Sequence, residues 1–370
     1  MRVGVDGRSL AVGGAGGLRQ PRGVSRYASS LLRALAAGHP EDDWLALVPR
    51  TAIAPAGVSP RSSPLAGRTG HAAAALTGRP RLDRLLGGGL DVAWLPAPAP
   101  VAVSAGTPYV LTLYDLSFEA LPEAFGRYER LWQGAAKPRR LALGAARVMA
   151  VSEATRQEAL ARWGLPPERV VVVGSGLWRP PTMNPTAAEA VRRRLSVPER
   201  YLLFVGALEP RKGLDALVMA HGEASRRGLD SHLVLAGDGP LRERLGGAPR
   251  VLLPGRISDI ELGALYAGAV ATVLPSLYEG FGFTPLESLA AGTPAVVSDL
   301  PALRESVGDG ALRVRPGDVG ALSDALLGIE RDGELRRRLL EAGRASLERL
   351  SWERTAEKAH DVLRAAADSA

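Results

Sequence analysis

At 370 residues the chain is longer than one ordinary hydrophobic core supports, so two domains are expected. Its 46% hydrophobic and 23% charged content is that of a globular protein, and the absence of cysteine excludes a disulfide framework and a thiolate metal site. The net charge of +7 is uneven, with 22 Lys and Arg against 13 Asp and Glu in residues 1–180 and 24 against 26 in the rest.

A basic first half can attract acidic ligands, anionic membrane or nucleic acid, although an arginine-rich composition alone also produces it. Abundant Ala, Arg and Gly with few lysines point to a GC-rich bacterial genome. Residues 2–6 read as a strand rather than a signal peptide, and no apolar run reaches the roughly 18 residues that span a bilayer. A cytoplasmic setting is therefore expected. The five histidines (39, 71, 221, 232 and 360) show no metal-ligand spacing, and no metal site is expected.

After the first strand comes a glycine-rich stretch, Gly13-Gly14-Ala15-Gly16-Gly17. Arg22-Gly23-Val24-Ser25-Arg26-Tyr27 then opens a helix with Tyr27, Leu31 and Leu35 on its apolar face. Glycine and arginine at a helix start behind a strand make an anion-site candidate, and GGAGG also describes a plain loop. Residues 44–48 are a strand, and 51–90 read as loop with one or two short helices. Residues 91–95 and 107–113 are strands, the second ending at Tyr114-Asp115-Leu116-Ser117. Residues 126–146 set Arg127, Arg130, Lys137, Arg139 and Arg140 beside Tyr128 and Trp132, a pattern that suits a membrane-surface helix or a solvated face, with Pro138 interrupting it. Strands at 147–151 and 170–173 complete a domain of residues 1–180, with Ser152 as a helix cap and a linker at 179–182.

The second domain, 181–351, starts afresh with a strand at 201–205 and a helix whose face is Leu214, Leu217, Val218 and His221. Strands and helices alternate to about 330, the pattern of a second doubly wound sheet, and Ser258-Asp259-Ile260-Glu261 reads as a capping box. A charged helix at 335–347 is followed by a final helix from Ser351-Trp352, so 352–370 forms a separate segment.

Tyr278-Glu279-Gly280-Phe281-Gly282-Phe283-Thr284-Pro285-Leu286-Glu287 organises the rest. It lies between the buried strand Ala271-Thr272-Val273-Leu274 and a short helix, at a strand's C-terminal end, where open α/β sheets bind ligands. Glycines let backbone N–H groups approach a ligand, and a helix N-terminus favours phosphate. Two glutamates bracketing such a site suit hydroxyls on either side of a diphosphate. The alternative is local: Thr284-Pro285-Leu286-Glu287 is also a capping box with proline at the first helical position. A second block, Gly206-Ala207-Leu208-Glu209-Pro210-Arg211-Lys212-Gly213, sets two cations just before a helix N-terminus, where they oppose the dipole unless an anion joins them.

These blocks resemble family 4 of the retaining glycosyltransferases: E-G-F-G-F-T-P-L-E is similar to the family's E-x7-E signature, and E-P-R-K-G to its diphosphate-binding loop. Pro254-Gly255-Arg256-Ile257-Ser258 and Gly292-Thr293-Pro294-Ala295-Val296-Val297-Ser298 agree in kind and order. The resemblance implies a GT-B fold, two Rossmann-like α/β domains facing a central cleft, with the last helix crossing back to the first domain. It implies that Glu287 accepts ribose hydroxyls and that Ile257 meets the base through its backbone. Arg211, Lys212 and the N–H groups of Gly280, Phe281, Gly282 and Phe283 would hold the diphosphate, with Gly206 and Thr284 alongside. Glu279 would hold hexose hydroxyls and stabilise the developing positive sugar. Gly23, Tyr114 and Asp115 would lie on the sugar or acceptor side. Relatives usually carry His-Asp where this chain has Tyr114-Asp115, which bears on donor identity.

The implied partners are a nucleotide-diphosphate sugar as co-substrate, a glycan, lipid-linked or small-molecule acceptor, and an anionic membrane contacted peripherally at its inner face. No cofactor, metal or nucleic acid is expected. A nucleotide-sugar epimerase of the same fold and a basic nucleic-acid-binding protein are the alternatives; the latter would show steep salt dependence.

Overall fold

The computed structural model describes residues 1–10, 23–49, 54–62 and 68–369. The Gly13–Gly17 stretch and Arg22 lie outside the described residues. The chain divides into two compact units, Met1–Gly176 with Leu350–Ala370, and Leu177–Arg349.

The first unit is a seven-stranded parallel sheet. Its strands are β1 (Arg2–Val5), β2 (Asp43–Val48), β3 (Val58–Ser62), β4 (Val92–Leu95), β5 (Tyr109–Leu113), β6 (Arg147–Ala150) and β7 (Val170–Val172), in the order β3-β2-β1-β4-β5-β6-β7. Apart from the edge strand β3, the strands are short, largely apolar runs because parallel strands are covered on both faces. Trp94 is fully buried in β4, and its indole N–H donates to Thr112 Oγ1 at 2.9 Å, which satisfies the ring's one polar atom. The Gly23–Gly38 helix buries Tyr27, Leu31 and Leu35, the face read from the sequence. The final helix, Trp352–Ala367, is part of this unit: it packs on the Gly23–Gly38 helix and over β4, β5 and β6. Trp352 stands edge-on to Tyr27 with centroids 5.5 Å apart, and a Cβ on Gly176 would come within 2.3 Å of its ring.

One reading needed revision. Residues 51–90 hold the two expected short helices, Arg68–Thr77 and Leu82–Leu85, but also a strand, β3. Only Val58 of β3 is buried, and Pro60 lies within it, so neither periodicity nor composition marks this edge strand. The 126–146 stretch is interrupted at Pro138 as expected: it is two helices, Arg127–Ala136 and Pro138–Gly144, separated at Lys137, whose φ of 48° is left-handed.

The second unit is a six-stranded parallel sheet of β8 (Tyr201–Val205), β9 (His232–Ala236), β10 (Val251–Gly255), β11 (Ala271–Leu274), β12 (Ala295–Ser298) and β13 (Ala311–Val314), ordered β10-β9-β8-β11-β12-β13. The order reverses between β8 and β11, so the loops after these two strands flank the switch point where such sheets take ligands. The expected capping box at Ser258 and Glu261 is formed.

Candidate active site

Both sequence blocks leave the C-terminal ends of β8 and β11. After β8 the chain turns through Gly206 and a short 3-10 turn, Pro210–Lys212, into the Leu214–Arg226 helix. Gly213 lies at the junction with φ of 66°, and a Cβ there would sit 2.1 Å from the Pro275 carbonyl oxygen. Only glycine allows the two loops to approach this closely. The Leu277 amide then donates to the Arg211 carbonyl at 2.8 Å, fixing one loop to the other.

This contact brings Lys212 to Glu279. The ammonium donates to Glu279 Oε1 at 2.5 Å, and Ser276 Oγ donates to the same oxygen at 2.7 Å. The two side chains are 12% and 10% exposed, so the pair is nearly buried. Burial pushes the Glu279 carboxyl up, but the Lys212 and Arg211 cations and the hydrogen bonds from Lys212 and Ser276 outweigh it and hold the carboxyl below its usual range. Burial lowers the Lys212 ammonium, and Glu279 restores only part of that. Arg211 is beside them, its Nε 3.1 Å from Glu209 Oε2. The result is a fixed, desolvated arrangement of two cations and two carboxylates.

Glu287 is in the Phe283–Ala290 helix and is 7% exposed. The capping reading of this glutamate does not hold. The helix starts at Phe283 behind Gly282, whose φ is 90°, and no side chain caps it. Thr284 Oγ1 donates instead to the Val205 carbonyl at 3.3 Å, and Glu287 Oε2 accepts from the Tyr266 hydroxyl at 3.0 Å. Gly282 is required by its φ and by packing, since a Cβ would meet Leu303 Cδ2 at 2.2 Å. Gly280 and Phe281 are buried in the same loop, and the Phe281 and Phe283 rings pack with centroids 5.0 Å apart. The Ile257 side chain belongs to a buried cluster with Tyr201, Leu203 and Tyr266, which leaves only its backbone for a ligand.

Sequence reasoning missed Ser276 and Tyr266, which orient the two signature glutamates. It also missed Gly237 and Gly239. Gly206 N–H donates to the Ala236 carbonyl, and a Cβ on Gly237 would lie 1.8 Å from the Gly206 carbonyl oxygen. The Gly237-Asp238-Gly239-Pro240 run directly after an apolar strand was the available signal.

In the first unit, Gly23 begins its helix and Tyr114 lies at the end of β5. Tyr114 packs edge-on against Tyr27, centroids 5.3 Å apart, and its hydroxyl is 3.5 Å from the Val24 carbonyl, too long for a good hydrogen bond. Burial pushes its phenol well above the usual range. Asp115 Oδ1 accepts from the Ser117 amide and hydroxyl at 3.0 and 2.6 Å, holding the following turn.

The family model described as "Glycosyl transferases group 1" matches residues 188–346, and the one described as "Glycosyltransferase Family 4" matches residues 21–177. The chain belongs to glycosyltransferase family 4. Its two parallel α/β sheets are those of the family's GT-B fold. This family 4 chain is 30% identical to the O-antigen chain mannosyltransferase B of Escherichia coli over 219 residues, 56% of this chain and 57% of the relative. It is 31% identical to the alpha-D-kanosaminyltransferase of Streptomyces kanamyceticus over 210 residues, 53% and 54% of the two. The match thus spans about half the length of these curated relatives. Among solved structures, the Anabaena protein HepE in complex with UDP and glucose has a TM-score of 0.70 and 18% identity, covering 98% of this chain and 99% of that one. Neither matching family model describes an epimerase or a nucleic-acid-binding protein. Among the described residues, no helix is long and apolar enough to cross a membrane.

Proposed function

We propose that this family 4 chain transfers a hexose or deoxyhexose from a nucleotide-diphosphate sugar to an acceptor hydroxyl with retention of configuration and without a metal. The observation that carries this is the nearly buried Lys212–Glu279–Ser276 arrangement beside Arg211 at the β8/β11 switch point. Arg211, Lys212 and the amides of the 280–283 loop bind the diphosphate and stabilise charge as the bond from sugar C1 to phosphate oxygen breaks. The electron pair leaves with the phosphate. Glu279 holds sugar hydroxyls and faces the positive charge that develops on the ring. The acceptor oxygen bonds to C1 on the face the phosphate leaves, and its proton passes to a phosphate oxygen. Glu287, held by Tyr266, accepts the ribose hydroxyls, and the backbone at Ile257 meets the base.

On this reading the 177–349 unit is the donor module and the 1–176 unit carries the acceptor side, with Gly23, Tyr114 and Asp115 nearest the sugar. The protein acts in the cytoplasm. The acceptor is a glycan, a lipid-linked sugar or a small molecule, approached at the inner face of an anionic membrane. Support for that contact comes from the Arg127–Ala136 helix, where Tyr128 and Leu131 are 64% and 74% exposed next to Arg127 and Arg130.

The test is a thermal-shift screen against nucleotides and nucleotide sugars, followed by product analysis with the best donor. Stabilisation by one nucleotide diphosphate, α-linked product from an α-linked donor and turnover undiminished by chelator are expected. Inverted product, or turnover abolished by chelator and restored by a divalent cation, would overturn the mechanism.

A further inference from the structure

A second group of chemistry-bearing side chains lies within the first unit, apart from the residues assigned above. His39 follows the Gly23–Gly38 helix, Glu41 lies in the turn before β2, and His360 is on the Trp352–Ala367 helix. One ligand atom from each lies within 4.8 Å of the other two. The imidazoles stack with centroids 3.5 Å apart and planes 5° from parallel. His39 Nδ1 is 3.6 Å from Glu41 Oε1, and its Nε2 is 3.6 Å from Glu357 Oε1. Neither distance is a hydrogen bond, and the buried Nε2 has no hydrogen-bond partner.

His360 is differently placed. Its Nε2 is 2.8 Å from Asp42 Oδ2, and Asp42 also pairs with the Met1 amino group. That contact occupies Nε2, so Nδ1 is the ring nitrogen turned away from Asp42. A carboxylate behind one imidazole nitrogen is how proteins orient histidines that ligate metal through the other.

We propose that His39, His360 and Glu41 form a binding site for a borderline divalent transition cation such as Zn²⁺, with Glu357 within reach as a fourth ligand. Two imidazoles and a carboxylate suit Zn²⁺ and its neighbours, whereas Mg²⁺ prefers oxygen and water. Two donors about 2.1 Å from a tetrahedral ion lie about 3.4 Å apart, so contraction by up to about 1.4 Å closes the site. Turning the rings out of their stack aims both lone pairs at one point. The Glu41 and Glu357 side chains are 66% and 65% exposed and free to swing in. The bound cation would cross-link the final helix to the turn before β2, segments 318 residues apart in sequence at the His360–Asp42 contact. Sequence spacing cannot show such a site.

Untagged, chelator-treated protein would be titrated with Zn²⁺ by calorimetry, with Tm measured in parallel and Mg²⁺ as control. One Zn²⁺ per chain and a Tm rise of several degrees are expected, with no effect of Mg²⁺. His39→Ala and His360→Ala should each abolish both signals. Glu41→Gln, at an exposed position that spares the fold, should weaken binding about 10-fold or more. Co²⁺ in place of Zn²⁺ should give visible absorption that is lost in His39→Ala. Failure of the wild-type chain to bind Zn²⁺ saturably, or binding unchanged in folded His39→Ala and Glu41→Gln, would overturn the proposal.

Discussion

Replacing Lys212 with methionine removes one member of a nearly buried ion pair and leaves the other. Breaking a buried pair by deleting one partner costs about 3–5 kcal/mol, mostly because a charge stays buried without compensation. Here Ser276 still donates to Glu279 and Arg211 remains nearby, and the two side chains keep 12% and 10% exposure, so the lower end, about 3 kcal/mol, applies. For a unit of this size that is a fall in Tm of about 6–12 °C. Lys212→Met/Glu279→Gln removes both charges of the pair and should recover more than half of the loss. The pH dependence supplies the sign. In the wild-type protein Glu279 has a depressed pKa, so its stabilisation is present above the unfolded value near 4.5 and is lost as pH falls through the folded value. In Lys212→Met the carboxyl loses its main cation and burial dominates, so its folded pKa rises above 4.5. The defect should therefore grow as pH rises through that raised value and shrink in acid. Denaturation of the three proteins between pH 4 and 8 measures this, with turnover of Lys212→Met expected to fall about 10²-fold or more. A Lys212→Met protein as stable as wild type across that range would refute the account of a buried, ionised pair.

Three further outcomes are expected. Glu287→Gln keeps an acceptor for the Tyr266 hydroxyl, so apo Tm should change little while nucleotide-induced stabilisation is lost; a large apo loss with unchanged nucleotide affinity would make Glu287 structural only. Tyr266→Phe removes a hydrogen bond to a charged group, worth about 1.5–3 kcal/mol, and should raise the donor KM about 10-fold or more at nearly constant kcat; unchanged KM would dismiss Tyr266 as a positioning residue. Tyr114→Phe should leave the ratio of kcat/KM between a hexose donor and its 6-deoxy analogue unchanged, because the hydroxyl makes only a long contact, 3.5 Å, with the Val24 carbonyl among the described residues, whereas Tyr114→His should shift it. If neither substitution moves the ratio, Tyr114 only packs against Tyr27.

The alternation of strands and helices was legible because parallel strands are unbroken apolar runs, as in β8 and β11, and helices such as Gly23–Gly38 carry a clear apolar stripe. The edge strand β3 was not, because one buried valine in five residues leaves no pattern. At the site, the glutamates, cations and glycines were visible through spacing and type. The start of the Phe283–Ala290 helix was misread because Thr284 and Pro285 look like a cap and first turn. The left-handed Gly282 and the Thr284 bond to Val205 set the start two residues earlier than that proline. Lys212–Glu279 and Tyr266–Glu287 are 67 and 21 residues apart, so their pairing depends on the strand order, which local sequence does not encode.

The helix Trp352–Ala367 buries Ala359, Val362, Leu363 and Ala366 within a unit whose other residues end at Gly176. The ribosome therefore makes the first sheet, then the whole second unit, before the last piece of the first emerges. At about 5–20 residues per second the interval is on the order of 10–40 s. Throughout it, the apolar side of the Gly23–Gly38 helix and the sheet beside β4 to β6 lack their cover. The second unit, one uninterrupted stretch of chain, has no such wait. Nascent chains stalled before residue 350 should accordingly be protease-resistant in the later half and sensitive in the earlier one, reversing the usual order in which a protein matures from its N-terminus.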